Sequence, residues 1–282
     1  MMNTLKRLFL PAVAAVLCFC MGCETNELLK LVPLEPADIS VEKLIQRLTE
    51  ATDPQMEYHN CKSYLMKQEL SVVKAGVKDV MATEVRFQAP DKMRITTFKD
   101  NRPSFVEIYN GGKAWKVDCS TGKVNRVPDG MPIQLMTLFV KMGTPSLDLN
   151  KIFKNVTIEM DIRENPKVYR LICDAGIEGI APYVYYIDSR TNLIQRFETV
   201  MYAQGEEYLY VNIPADYTRY EKDILIPATS TVTLMDTVNI SRLKEFKINP
   251  VFAESDFLPP VPFSHQKKTL RDAFKNKKQD KK

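Results

Sequence analysis

The chain has 282 residues, 45% hydrophobic and 26% charged, with 10 glycines; this excludes collagen-like, low-complexity and wholly disordered proteins and leaves room for a sizeable core. The formal net charge of +4 sits at the ends: residues 264–282 hold eight Lys or Arg against Asp272 and Asp280, and Lys6 and Arg7 lie near the start. The body between them is mildly acidic, which argues against a nucleic-acid partner.

The amino terminus reads as an export signal. Lys6 and Arg7 precede "LFLPAVAAVLCFCMG", an apolar stretch too short and wrongly flanked to be a membrane-spanning helix. Gly22-Cys23 then resembles the lipobox of bacterial lipoproteins, although Cys20 stands at −3, where leucine is usual. Leu17 and Phe19 make Cys18 and Cys20 poorer candidates, so Cys23 is the expected lipidation site. Residues 1–22 are then a signal peptide and 23–39, with Pro33 and Pro36, a lipid-anchored tether. One acyl chain holds a protein only marginally and several hold it stably, so a multiply acylated Cys23 would fix the chain to a membrane. Cys61, Cys119 and Cys173 lie far apart without Cys-x-x-Cys spacing and read as scattered thiols rather than a metal site or redox pair.

Ser40 opens a helix in which Val41, Leu44, Ile45 and Leu48 form one apolar face, and Asp53-Pro54 ends it. From Tyr58 the period changes from 3.6 to 2. Strands are expected at 63–73 and at 83–98, the latter bent or bulged at Ala89-Pro90-Asp91 because proline cannot donate to a ladder. Residues 104–127 supply three more runs, joined by Asn110-Gly111-Gly112 and Ser120-Thr121-Gly122. The segment 128–145, "PDGMPIQLMTLFVKMGTP", has no polar face, and 146–155 reads as a short helix. Seven further alternating runs follow between residues 156 and 249. The expected fold is mainly β with some α: a curved, incompletely closed antiparallel barrel of about ten strands with helical lid elements. A segment apolar all round can touch the sheet on one side and a ligand or partner on the other, and methionine suits varied apolar partners.

The helix "VEKLIQRLTEA", the segment "VRFQAPDKMRI", the hairpin "IYNGGKAWKVDCSTGKV" and the terminal "FKINPVFAESDFLPP" together resemble the LolA/LolB superfamily of bacterial lipoprotein-sorting proteins across most of residues 40–263. The resemblance implies a half-open barrel whose hydrophobic cavity takes acyl chains of lipoproteins or lipids, with Trp115 in the family's aromatic position and facing inward. Ala89 replaces the arginine that precedes the proline in the soluble carrier, and Met93 and Ile95 replace its aromatics, so a latch-and-release cycle is not implied. The lipobox turns the comparison toward the anchored receptor, anchored paralogues of the carrier, and the periplasmic stress-signal sensors of the same fold.

Phe87, Met93, Ile95, Trp115, Val117, Met136, Phe139 and Val140 are the candidates to line the cavity or its lid, against the alternative that they pack a solid core. On a strand His59 and Cys61 would share a face, but no third ligand or base accompanies them. No hydrolase triad, glycine-rich phosphate loop or paired-His motif occurs, so neither enzyme activity nor a cofactor or metal is expected. The tail 264–282 can gather Leu270, Ala273 and Phe274 on one face amid lysines and suits an anionic membrane face or an acidic partner, or simply remains disordered. The expected role is a lipoprotein or lipid carrier or receiver anchored in the bacterial envelope and facing the periplasm. The outer membrane is favoured, although Glu24 after the lipidated cysteine is a feature of inner-membrane retention in some bacteria. The alternative is an anchored sensor or scaffold that binds an envelope protein partner.

Overall fold

The helix after Ser40 forms as its spacing predicts. In the computed structural model, which describes residues 35–145, 148–161, 166–203 and 206–260, α1 spans Val41–Thr52. The Ser40 side chain accepts from the Lys43 N–H at 3.3 Å, Glu42 places negative charge in the first turn, and Leu44 and Leu48 are buried. The segment expected to be a signal peptide, Cys23 and the basic tail lie outside the described residues.

Among the described residues all strands join one antiparallel sheet of 14. In chain order β1 (Glu35–Pro36) precedes α1, and β2 (Ser63–Lys74), β3 (Val77–Gln88), β4 (Lys92–Lys99), β5 (Arg102–Asn110), β6 (Lys113–Asp118) and β7 (Lys123–Arg126) form a meander. Two helices follow, α2 (Met131–Met142) and α3 (Leu149–Ile152). A second meander runs through β8 (Asn155–Asp161), β9 (Val168–Asp174), β10 (Tyr183–Asp188), β11 (Ile194–Ala203), β12 (Glu206–Arg219), β13 (Leu225–Leu234) and β14 (Thr237–Ile248). The halves join where β14 pairs with β2, leaving β7 and β1 as the edges among the described residues, and the sheet does not close. It does curl: α1 touches both β8 and β13, which four intervening strands separate in the sheet. The region expected as one bent strand at 83–98 is a hairpin in which Phe87 pairs with Met93 and Val85 with Ile95, the chain reversing at Ala89-Pro90.

Two apolar clusters fill the concave face. The first joins Tyr64, Phe87, Met93, Ile95, Tyr109 and Phe246 of the sheet to Met136 and Val140 of α2. The second joins Tyr169, Leu171, Cys173, Tyr183 and Ile187 to Leu44 of α1 and Leu138 of α2. Helix α2 is therefore a wedge between the clusters. Met136, Val140, Ile133 and Phe139 serve one side and Leu138 and Met142 the other, which leaves only a narrow exposed polar stripe of Gln134 and Lys141 between them. The side expected for a ligand or partner packs in part on the second cluster, while Met142 at its end borders an open space. Each fully buried side chain of this kind stabilises by roughly 1.5–3 kcal/mol against exposure, an upper figure since denatured chains are partly collapsed.

The convex face carries a third cluster of Val106, Ile108 and Val117, with Trp115, Cys119 and Val124 against it. A 3₁₀ turn at Glu254–Phe257 lies against β4 and β5 on this side. Arg94 donates to the Asp256 carbonyl at 3.0 Å, Arg86 pairs with the Asp256 carboxylate at 3.1 Å, and Asn110 donates to the Phe257 carbonyl at 3.3 Å.

Glu107 is a cost within this arrangement. Its register partners are Ile95 and Lys116, it is 3% exposed, and its Oε1 lacks a hydrogen bond although Lys116 Nζ stands 3.5 Å away. Burial pushes its carboxyl above the ordinary 4.5, against a weaker opposing pull from Lys116. The folded protein thus holds a proton that the unfolded chain has released, so stability is full below 4.5 and falls as pH rises through the elevated folded value. Glu107→Gln is expected to flatten this decline and raise the melting temperature at neutral pH. Melts recorded across pH check it; a variant less stable than wild type at every pH would mean that the lysine contact outweighs burial.

Candidate functional site

An apolar cavity of about 180 Å³ opens between α1, α3 and the second half of the sheet. Ile45 and Leu48 line it from α1, Met142 from the end of α2, and Leu149, Ile152 and Phe153 from α3 and its C-cap. Leu171, Tyr185, Ile187 and Ile194 close it from the sheet. The helical spacing of Ile45 and Leu48 and the inward alternation of Leu171, Tyr185 and Ile187 put these side chains here. Apart from the Tyr185 hydroxyl, its lining side chains are apolar.

Beside it, on the other side of α3, lies an open groove of about 410 Å³. His59, Lys62, Phe87, Lys141, Asp148 and Lys151 are among its lining residues, and Ile152 lines both spaces. Asp53 builds one wall by accepting from the Glu57 N–H at 2.9 Å and the His59 N–H at 2.8 Å. Tyr64 fastens the end of α2 nearby, donating to the Gly143 carbonyl at 3.0 Å, and stacks on Phe87 with ring centroids 5.1 Å apart. Burial raises the Tyr64 hydroxyl far above its usual range, so it stays a neutral donor.

Six of the eight sequence candidates, Phe87, Met93, Ile95, Met136, Phe139 and Val140, come together in or against the first cluster. They form packed wall beside the cavity; of the eight, Phe87 alone reaches the groove and none lines the apolar cavity. Trp115 and Val117 are not with them. They do share a face, as alternation requires, but Ala114 is the residue of β6 that points into the first cluster, which puts Trp115 and Val117 on the convex side. The inward orientation expected of Trp115 is thereby corrected: both faces of β5 and β6 carry apolar residues, and alternation cannot say which of two apolar faces is concave. Trp115 emission is accordingly expected to ignore apolar ligands and to report unfolding; a saturable blue shift on adding a fatty acid would contradict this placement.

The residues that do line the cavity, Ile45, Leu48, Leu149, Ile152, Leu171 and Ile187, were legible only as core positions. His59 and Cys61 both border the groove, but burial pushes the Cys61 thiol up to about 11, leaving it protonated at neutral pH and a poor nucleophile. Cys61, Cys119 and Cys173 are free and belong to or pack against three different clusters. Among the described residues no group of three or more His, Cys, Asp or Glu could hold a metal ion, and no helix is long and apolar enough to cross a membrane.

A curled, open antiparallel sheet with helices in its mouth and an apolar cavity behind them is a half-barrel. The same fold occurs in three solved structures. A domain named for outer membrane lipoprotein sorting, from Vibrio parahaemolyticus, superposes with a TM-score of 0.52 at 13% identity, covering 76% of this chain and 94% of that one. A LolA-superfamily protein from Nitrosomonas europaea gives 0.50 at 8% identity, covering 78% and 98%. A DUF1329-family protein from Desulfovibrio piger gives 0.53 at 10% identity, covering 77% and 97%. No family model and no curated protein matches the sequence. The chain therefore has the LolA-like fold that its motifs resemble, and the likeness is one of architecture.

Proposed function

We propose that the protein binds acyl chains in the cavity between α1, α3 and β9–β11 and carries or receives lipoproteins, or another acylated lipid, in the bacterial envelope. It does so as a periplasm-facing protein tethered through a lipidated Cys23, the outer membrane being the favoured site. The observation that supports this best is the cavity itself, ten residues of which only Tyr185 carries a polar group, framed by elements that also pack the core. Each methylene moved from water into such a space stabilises by roughly 0.8 kcal/mol. At about 180 Å³ the cavity is smaller than ordinary ligand pockets of roughly 300–1,000 Å³. One chain segment fits as it stands, and a three-chain lipoprotein anchor requires α1 and α3 to part. The sorting role named for the Vibrio domain of the same fold agrees with this reading.

Delipidated protein is expected to take up a fluorescent fatty acid saturably, and tagless protein purified from its host to yield acyl lipid on extraction. Cys23→Ala is expected to move the protein from the membrane to the soluble fraction and to abolish fatty-acid labelling. Absence of saturable uptake would remove the acyl-chain reading, and unchanged fractionation with unchanged labelling would remove the anchor.

A further inference from the structure

The groove beside the apolar cavity carries a charge pattern that an acyl chain alone does not explain. Lys62, Lys141 and Lys151 line it, and Asp148 is the one carboxylate among its lining residues. Asp148 is engaged with Lys151 at 2.7 Å, whereas Lys62 and Lys141 have no ion-pair partner among the described residues. The ring of His59 also borders the groove, and its Nδ1 is buried without a hydrogen-bond partner. Two ammonium groups without an ion-pair partner among the described residues leave the groove with an excess of positive charge over its single carboxylate. The two spaces adjoin through the helices themselves. Lys141 faces the groove and its neighbour Met142 the cavity; Lys151 faces the groove, Phe153 the cavity, and Ile152 both.

We propose that this groove holds the anionic head group, a phosphate or a carboxylate, of an amphiphile whose chain enters the apolar cavity. The inference rests on the acyl-chain reading and narrows it, since it selects acidic amphiphiles over neutral ones of the same chain. Lys62 and Lys141 supply charge at the mouth, and Ile152 marks where head meets chain. Because the lysines are exposed, the attraction is screened by salt.

The test compares delipidated protein with hexadecyl phosphate, palmitate and monopalmitoylglycerol at low and high salt, with inorganic phosphate as a competitor. Wild type is expected to bind both acidic amphiphiles at least tenfold more tightly than the neutral one, with the preference shrinking as salt rises. Lys62→Glu combined with Lys141→Glu is expected to erase the preference and leave neutral binding and the melting temperature unchanged; Lys62→Gln with Lys141→Gln is expected to fall between. Retention of one acidic amphiphile over the other identifies the head group. Equal binding of all three ligands, or a preference that survives charge reversal, overturns the inference while the acyl-chain reading stands. Inorganic phosphate that blocks hexadecyl phosphate but leaves palmitate preferred assigns the groove to phosphate, whereas a groove that binds inorganic phosphate as tightly as hexadecyl phosphate is a free-anion site and overturns it too. Failure of every amphiphile removes both.

Discussion

Val140→Asp is expected to lower the melting temperature by on the order of 10 °C or more, because it sets a carboxylate into the first cluster with nothing to pair it. Val140 is 2% exposed and packs with Met136, Phe87, Met93 and Ile95, neighbours that offer no positive charge. An unpaired buried charge costs about 3–5 kcal/mol even after relaxation, and a domain of this size loses roughly 2–4 °C for each. The adjacent Lys141 is exposed, so Lys141→Gln is expected to change stability by less than about 0.5 kcal/mol. This contrast between neighbours separates a wedge from a lid. A lid resting over open space would tolerate charge on its underside and lose ligand selectively, whereas α2 has sheet on one side and the second cluster on the other. Melts followed by Trp115 emission decide it: Val140→Asp melting within 2 °C of wild type would mean that α2 is not clamped as described.

Local periodicity revealed most of the fold. The apolar spacing of Val41, Leu44, Ile45 and Leu48 and the cap at Ser40 produce α1, and Gly111 and Gly112, with φ of 56° and 78°, make the turn that Asn110-Gly111-Gly112 announces. The reversal at Ala89-Pro90-Asp91 was hidden, because a proline inside an alternating run reads equally as a bend within one strand, and so β3 and β4 were not separated. The candidate site was less legible, for a physical reason. Sequence pattern marks apolar positions without saying whether close packing or a gap surrounds them. Met136 and Phe139 suggested a ligand surface by composition and proved to be packed, while Ile45 and Leu48 suggested core and proved to border a gap. What separates the two cases is how α1 and α3 seat against β9, β10 and β11, which for α1 is a contact with residues more than a hundred positions away. The groove lysines were equally unremarkable in sequence, since Lys62, Lys141 and Lys151 converge only when the loop before β2 meets the ends of α2 and α3.

Filling the cavity and widening it should move binding in opposite directions. Ile45 is partly buried on α1 at the cavity wall, so Ile45→Trp can turn its indole into the 180 Å³ space without displacing a fully buried residue. The variant is expected to lose fatty-acid affinity by at least tenfold, about 1.4 kcal/mol, and to melt at or above the wild-type temperature, because filling a void adds contacts. Ile187 is 0% exposed and lines the same cavity from β10, so Ile187→Val enlarges it by one methylene. That change is expected to cost about 0.5–1.5 kcal/mol of stability while preserving or tightening acyl-chain binding. A variant that gains stability while losing ligand, set beside one that loses stability while keeping it, cannot be explained by general damage to the fold. If both variants bind like wild type while their stabilities shift as stated, the space is a packing void and the acyl chain rests elsewhere on the half-barrel.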